Sequence, residues 1–406
     1  MNRHHRAFRL VALPLVAVAT LTASPPLPRA TPESVGLDST RLQAATDLLK
    51  QYVTDRKIAG AVAAVARRGK VAYLESVGVQ DLPSGAPMAE RTLFRIYSMT
   101  KSVTAVAVMM LHEQGRFALG DPVSKFLPEF QDVVVTLEPE LATRKADREI
   151  TVRDLLLHTS GLSHRTSALY RNAKVRSRSI SLPQLVTNIT RTPLMEDPGT
   201  RYRYSEATTV LGRLVEIWSG IAFDQFLDDR VLKPLAMNDT SFWVAPDAAS
   251  RLATVYSPMP AGGLTPVEIE EVPFTVRPTL IEGAVGLVST VPDYLRFCQM
   301  LLNKGELDGV RLLSTKTVEQ ITSNGLSQQI LATRGGTMGW GIANINVQMD
   351  PASPQRGEYG WDGTAGTIFW VDPSREMITV LMTQSSPANP DGLRGRFKAL
   401  VQSAVQ

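Results

Sequence analysis

Cysteine and histidine are scarce in this sequence of 406 residues, which narrows the chemistry available to it. The single cysteine, Cys298, cannot form a disulfide within the chain, and the apolar residues around it indicate a buried small side chain. Of the five histidines, only His112, His158 and His164 lie beyond the first five residues. No group of Cys and His has the spacing of a zinc-type motif, so the sequence predicts no bound metal.

A strong net charge is also missing once the N-terminal segment is considered separately. Arg3, Arg6 and Arg9 precede an apolar run over residues 10–23, the order that is typical of a signal peptide. The run is too short to span a bilayer stably, so we expect residues 1–23 to be removed on export to the periplasm or the medium. Without these arginines the net charge of +4 falls to +1, which does not indicate nucleic acid or an anionic membrane surface as a partner.

The sequence has no Gly-x-Ser-x-Gly motif, which would place a nucleophilic serine on a sharp turn after a strand. Together with the few histidines, this argues against a Ser-His-Asp triad on an α/β-hydrolase fold. His158, in "LLLHTSG", is better explained as a structural residue at a helix end than as a general base.

Strand patterns occur near both ends of the chain, and helical patterns fill the middle. Two apolar runs flank the turn sequence Arg68-Gly69-Lys70, and further strand-like runs follow residue 335. The prediction is a mixed α/β fold of the α+β type, with one antiparallel sheet built from both ends and covered by the terminal helices. The predicted domains are an α/β domain over residues 31–95 plus 275–406 and a mainly helical domain over residues 96–274.

The stretch "YSMTKSVTAVAVMML" places Ser98 and Lys101 three residues apart, on one face of a predicted buried helix. Free backbone N–H groups at a helix start favour negative charge near the serine oxygen, and burial lowers the pKa of a lysine. The pair therefore has the properties of an activated nucleophile. Alternatively, Ser98 only caps the helix and Lys101 extends to solvent; because such a tetrapeptide arises easily by chance, other features must support the first interpretation.

Two further motifs supply that support. Tyr204-Ser205-Glu206 stands just before a predicted helix, and Trp361-Asp362-Gly363 stands on or entering a predicted strand. In this order, the three motifs resemble those of the serine β-lactamase and penicillin-binding-protein superfamily, most of all its class C branch and the related family VIII carboxylesterases. The resemblance extends from about Pro32 to Gln384 and implies a β-lactamase-like fold.

The resemblance implies a role for each matching residue. Ser98 would be the nucleophile that forms an acyl-enzyme, Lys101 would hold or take its proton, and Tyr204 would relay a proton to the leaving group. The backbone N–H groups of Ser98 and Thr364 would form the oxyanion hole, where one donor is typically worth ~3 kcal/mol. Gly363 would allow the close backbone approach that this requires. How Lys101 and Tyr204 share the role of base stays open.

Trp361-Asp362-Gly363 stands where β-lactamases have Lys-Thr-Gly, whose cation helps to bind the β-lactam carboxylate. Losing that charge-assisted contact commonly costs ~1.5–3 kcal/mol, which disfavours a carboxylate substrate. Trp361 suits a flat apolar wall for an acyl or alcohol group, although it could simply pack in the core. Asp362 is included as a substrate contact, but it alternates to the other side of a strand from Trp361 and could face away from the site.

Glu206 is a second position at which this chain differs from the β-lactamase pattern, because β-lactamases have asparagine there. A carboxylate only accepts hydrogen bonds, which again disfavours β-lactams. Glu206 could pair with Lys101 and keep it protonated, which would leave Tyr204 as the base. It could also point to solvent at a helix start, where an acid is favourable.

The sequence therefore predicts an exported serine hydrolase of family VIII carboxylesterase type that cleaves short-chain esters through an acyl-serine intermediate. No metal or organic cofactor is implied, and the expected partner is a small-molecule ester. One alternative is a β-lactamase or D-Ala-type peptidase using the same serine. Another is a non-catalytic binding protein on the same fold, against which intact Ser98, Lys101 and Tyr204 argue. The physiological ester and the oligomeric state stay open.

Overall fold

The computed structural model describes residues 26–137 and 142–406, and the predicted signal peptide lies outside them. The α-helices in these residues are α1 (Ser39–Thr54), α2 (Thr100–Glu113), α3 (Val152–Leu156), α4 (Ala168–Asn172), α5 (Leu182–Thr190), α6 (Ala207–Ser219), α7 (Phe223–Leu227), α8 (Val291–Leu302), α9 (Thr315–Ile321), α10 (Gln328–Thr333) and α11 (Leu393–Ser403). The strands are β1 (Gly60–Arg67), β2 (Lys70–Asp81), β3 (Ala86–Pro87), β4 (Phe94–Arg95), β5 (Val134–Leu137), β6 (Ala142–Lys145), β7 (Tyr256–Pro258), β8 (Leu264–Pro266), β9 (Val288–Ser289), β10 (Glu306–Leu307), β11 (Val310–Arg311), β12 (Met338–Gly341), β13 (Ile345–Gln348), β14 (Tyr359–Asp362), β15 (Ile368–Asp372) and β16 (Met377–Thr383).

One antiparallel sheet dominates the described part of the chain. Its order is β12-β13-β14-β15-β16-β1-β2-β3, so strands from the C-terminal part pair with strands from the N-terminal part where β16 meets β1. The pairing begins with Ala61 opposite Thr383 and runs to Arg67 opposite Met377. This confirms the prediction of a mixed fold with one sheet assembled from both ends.

The residues of β1 explain why layers form on both faces of this sheet. Alternate side chains of a strand point to opposite faces, and every residue of β1 is buried. Val62, Ala64 and Ala66 contact the main core, whereas Ala61 and Val65 contact the smaller core formed with α1 and α11. The hairpin to β2 turns at Arg68 and Gly69, whose φ angles of 52° and 76° suit a tight two-residue turn.

Helix α2 lies in the middle of the main core. It is buried from Thr100 to Leu111, as its nearly continuous apolar sequence predicts, and it packs against α6. The middle of the chain also contains two short hairpins, β5–β6 and β7–β8, that the helical patterns did not indicate. In the described residues, no helix is both long and apolar enough to cross a membrane. The predicted domain boundaries remain predictions.

Candidate active site

Ser98 lies in a 3₁₀ turn, Tyr97–Met99, that leads directly into α2. Its position at the start of the helix agrees with the sequence prediction, and its surface is only 7% exposed. The preceding residue, Tyr97, has a φ of 41°, a left-handed conformation that typically costs a bulky residue about 1–3 kcal/mol. Within the described residues, the Ser98 N–H donates a hydrogen bond to no acceptor, so it is free to bind a ligand.

Lys101 lies in the first turn of α2 and is 1% exposed. Its Nζ is 3.4 Å from Oγ of Ser98 and 2.9 Å from the Ala284 carbonyl oxygen, which lies in the loop before β9. Burial lowers the pKa of Lys101 to about 7, while the Glu206 carboxylate acts in the opposite direction. A substantial fraction of this lysine is therefore uncharged near neutral pH, as a general base requires.

Tyr204 lies just before α6, and its ring centroid is 4.7 Å from Nζ of Lys101. Its hydroxyl oxygen accepts a hydrogen bond of 3.2 Å from Nε1 of Trp361. Burial raises the pKa of Tyr204 above its ordinary value, although the Ser98 hydroxyl and the Trp361 indole both act to lower it. The phenol is therefore neutral near pH 7, and in this form it can donate a proton.

Gly363 and Thr364 begin the turn between β14 and β15. A Cβ on Gly363 would lie 2.5 Å from the Ile96 carbonyl oxygen and 2.2 Å from Oγ1 of Thr367, so only glycine fits here. The strand end therefore lies directly against the segment that leads into Ser98. The Thr364 N–H donates to no acceptor among the residues described, so it is free to bind a ligand, as the predicted role in an oxyanion hole requires.

Trp361 and Asp362 point to opposite faces of β14, as strand alternation predicts. The Trp361 ring contacts Tyr204 at 5.3 Å and meets Trp340 edge-on at 4.6 Å, which makes an aromatic wall beside the site. Asp362 instead pairs with Arg394 of α11. The predicted substrate contact of Trp361 is thus consistent with its position, whereas Asp362 faces the helix layer behind the sheet.

Glu206 is buried, with 1% exposure, so the solvent-facing alternative is wrong. Its carboxylate accepts hydrogen bonds from Arg165 N at 3.3 Å and from Oγ1 of Thr209 at 2.9 Å. Burial by itself would raise the pKa of Glu206, but the charges of Lys101 and Arg165 lower it overall. Glu206 and Lys101 form no ion pair within 4.0 Å in the described structure, and Glu206 acts on Lys101 through its charge rather than through a hydrogen bond.

A buried ion-pair network behind the site was not predicted from the sequence. Arg176 binds Glu282 through Nε at 2.9 Å and reaches Glu270 at 2.9 Å, and Arg165 binds Glu270 at 3.0 Å. Glu282 lies two residues before Ala284, so the network holds the loop whose carbonyl binds Lys101. These residues follow no motif, and only their three-dimensional proximity reveals them.

His158 is buried beside the site and has contacts typical of a structural residue. Its Nδ1 lies 3.1 Å from Oγ of Ser205 and 3.3 Å from the Ser205 N–H that donates to it. Burial holds the pKa of His158 well below its ordinary value, so the ring is neutral. Among residues 26–137 and 142–406, no group of three or more His, Cys, Asp and Glu side chains could hold a metal ion.

The fold and this arrangement of serine, lysine and tyrosine define a class of protein, and comparison with known proteins agrees with it. The chain belongs to the beta-lactamase family, whose family model matches residues 45–403. Protein Rv1367c of Mycobacterium tuberculosis (strain ATCC 25618 / H37Rv) is 35% identical over 353 residues, which cover 81% of this chain and 86% of that protein. Esterase EstB of Burkholderia gladioli is 29% identical over 402 residues, which cover 92% of this chain and 97% of EstB.

A solved structure gives the same result for the fold. EstCE1, described as a hydrolase with promiscuous acyltransferase activity, superposes with a TM-score of 0.75 at 26% identity. The match covers 92% of this chain and 98% of EstCE1. The chain thus has the β-lactamase-like fold that the sequence resemblance implied, and it is a serine hydrolase of that fold.

Proposed function

We propose that this protein is a carboxylesterase that cleaves short-chain esters through an acyl-serine intermediate. The observation that carries the proposal is the 3.4 Å approach of a buried lysine, with a pKa lowered to about 7, to the hydroxyl of Ser98. The similarity to esterase EstB and to the hydrolase EstCE1 supports the ester class of substrate.

In the proposed mechanism, uncharged Lys101 takes the proton of Ser98 while Oγ attacks the ester carbonyl carbon. The N–H groups of Ser98 and Thr364 stabilise the negative oxygen of the tetrahedral intermediate. Tyr204, which is protonated near neutral pH, gives its proton to the departing alkoxide and recovers one from Lys101. The alcohol leaves, and water then attacks the acyl-serine by the same route to release the acid.

The aromatic wall supports esters over β-lactams as substrates. Trp361 presents an indole where the β-lactamase pattern has a lysine, so an apolar acyl or alcohol group gains contact area. The neighbouring acid, Asp362, is occupied by Arg394 on the far side of the strand. A second candidate activity is acyl transfer, which the description of EstCE1 favours, because an alcohol can replace water in attacking the same acyl-serine.

The experiment that tests this function compares p-nitrophenyl acetate, butyrate and octanoate with nitrocefin and a D-Ala-D-Ala peptide. The expected result is fast hydrolysis of the shorter esters, weak nitrocefin hydrolysis, and loss of both in Ser98→Ala. Ser102→Ala, which removes a hydroxyl from the same helix, is the matched control and keeps activity. Mass spectrometry of the quenched reaction should find the acyl group on the peptide that contains Ser98.

Other results of the same experiment would favour the alternatives. Faster turnover of nitrocefin or of the peptide than of any ester would establish a β-lactamase or a D-Ala-type peptidase. A protein that hydrolyses none of these substrates and is not labelled by a fluorophosphonate would be a non-catalytic binding protein. Addition of a primary alcohol should yield a transesterified product if acyl transfer is a second activity.

Export is proposed separately, from the pattern of residues 1–23. Expression of the full chain in a bacterial host, followed by fractionation and N-terminal sequencing, tests it. The expected product is found outside the cytoplasm and starts after the apolar run. A full-length cytoplasmic product would contradict export without bearing on the catalytic proposal.

A further inference from the structure

Arg394, the second residue of α11, contacts the rear of the turn that carries the proposed oxyanion donor. Its Nη2 donates to the Gly363 carbonyl oxygen at 2.8 Å and to the Thr367 carbonyl oxygen at 3.2 Å. Its Nη1 binds the Asp362 carboxylate. The side chain is 11% exposed, so these contacts lie mostly away from solvent.

The Gly363 carbonyl and the Thr364 N–H belong to one peptide group. This bond is trans, because the only cis peptide bond in residues 26–137 and 142–406 is Ser386–Pro387. In a planar trans peptide, the C=O and N–H bonds point in opposite directions. A guanidinium that holds the Gly363 oxygen therefore fixes the direction of the Thr364 N–H, which points away from Arg394.

The same contact changes the strength of the donor. A charged donor on a carbonyl oxygen polarises the peptide group, and hydrogen bonds in such a chain strengthen one another. The N–H of Thr364 then carries more positive charge where an oxyanion would form. Both ends of the turn are held, because Arg394 also binds the Thr367 carbonyl, to which Gly363 N–H donates at 2.8 Å.

We propose that Arg394 is a positioning residue that orients and polarises the Thr364 N–H of the oxyanion hole, and that Asp362 holds the guanidinium in place. The proposal rests on the proposed function, because it presumes that an oxyanion forms at this site. In this proposal, Asp362 holds Arg394 against the turn between β14 and β15. The sequence analysis instead predicts that Asp362 contacts the substrate.

The test compares Arg394→Met and Arg394→Lys on p-nitrophenyl butyrate and on the matching thionoester, whose sulfur accepts hydrogen bonds poorly. For Arg394→Met, we expect kcat on the oxygen ester to fall about 10–100-fold with KM within about twofold, since losing one oxyanion donor costs about 10²–10³-fold. The thionoester rate should fall much less, so the preference for the oxygen ester shrinks. Arg394→Lys should recover part of that preference, and Asp362→Asn should lose part of it.

Arg396→Met is the matched control, because Arg396 lies on the same helix and its Nη1 binds the Tyr52 hydroxyl at 3.0 Å on α1. It should leave the ratio of the two substrates unchanged. Equal loss on both substrates in Arg394→Met, or no loss on either, would overturn the proposal. If Arg394→Met does not fold, as judged by circular dichroism, the proposal is tested by the ratio of the oxygen-ester rate to the thionoester rate in Arg394→Lys and Arg394→Gln. Wild-type protein without Ser98-dependent ester hydrolysis would refute the proposed function itself, which is a distinguishable result.

Discussion

Replacing Glu206 with glutamine tests which group accepts the proton of Ser98. The change removes one buried negative charge that raises the pKa of Lys101, so that pKa should fall. Because the uncharged lysine would then persist to lower pH, the acidic limb of the kcat/KM profile should move to lower pH. Glutamine can still accept the hydrogen bond from Arg165 N, so the local fold should survive.

The size of this shift follows from the separation of the charges. The charged atoms of Glu206 and Lys101 lie more than 4.0 Å apart, since the two residues form no ion pair in the described chain. At separations from there to about 8 Å and an effective dielectric constant of about 20, the attraction is about 2–4 kcal/mol, or about 1.5–3 pKa units. Other buried charges also act on Lys101 and reduce the net change in its pKa. We therefore expect the acidic limb of the kcat/KM profile to move by about one pH unit or more.

The assay is kcat/KM for p-nitrophenyl butyrate over pH 4–9 at constant ionic strength, read at the isosbestic wavelength of the product. Glu75→Gln, which removes the same charge from an exposed position of β2, is the control and should leave the profile unchanged. A limb that does not move would refute the assignment of Lys101 as the titrating base. If Tyr204 were the base beside a protonated Lys101, the variant would instead lose activity across the neutral range.

Three further predictions concern other parts of the site and the fold. Tyr204→Phe keeps the ring contacts but removes the proton donor, so kcat should fall by about 10²–10⁴ while the melting temperature changes little. Gly283→Ala should lower both kcat and the melting temperature, because its Cβ would lie 2.9 Å from the Thr208 carbonyl oxygen and displace the loop that binds Lys101; unchanged kinetics would contradict this. Asp154→Ala removes the capping box of α3 and a two-pronged ion pair, so urea denaturation should show a loss of about 1–3 kcal/mol while kcat of the folded enzyme stays unchanged.

The sequence predicts best where neighbours along the chain determine the geometry. Ser98 and Lys101 share a helix face because of their spacing, and the opposite directions of Trp361 and Asp362 follow from strand alternation. The turn at Arg68 and Gly69 likewise follows from local sequence. For these residues the structure agrees with the pattern, since backbone periodicity alone fixes which side chains lie together.

Contacts between distant segments could not be predicted in this way. The Ala284 carbonyl reaches Lys101 across 183 residues of sequence, and Arg394 reaches Gly363 across 31, without any motif to indicate either contact. The burial of Glu206 could not be predicted from the sequence either, because a carboxylate at a helix start is equally typical of a solvated surface. Each of these features depends on which elements pack against each other. A hydrophobic pattern indicates only which side chains are buried and which are exposed.

The meeting of β1 and β16 has a consequence for when the protein can become active during synthesis. Ser98 is translated well before Thr364, and the Gly363–Thr364 turn lies against the segment that leads into Ser98 only after β14–β16 have joined the N-terminal hairpin. A nascent chain from which Ser98 has emerged but β14 has not thus still lacks the proposed second oxyanion donor, Thr364. Under the proposed function, activity therefore requires that β14–β16 have been synthesised and have closed the sheet.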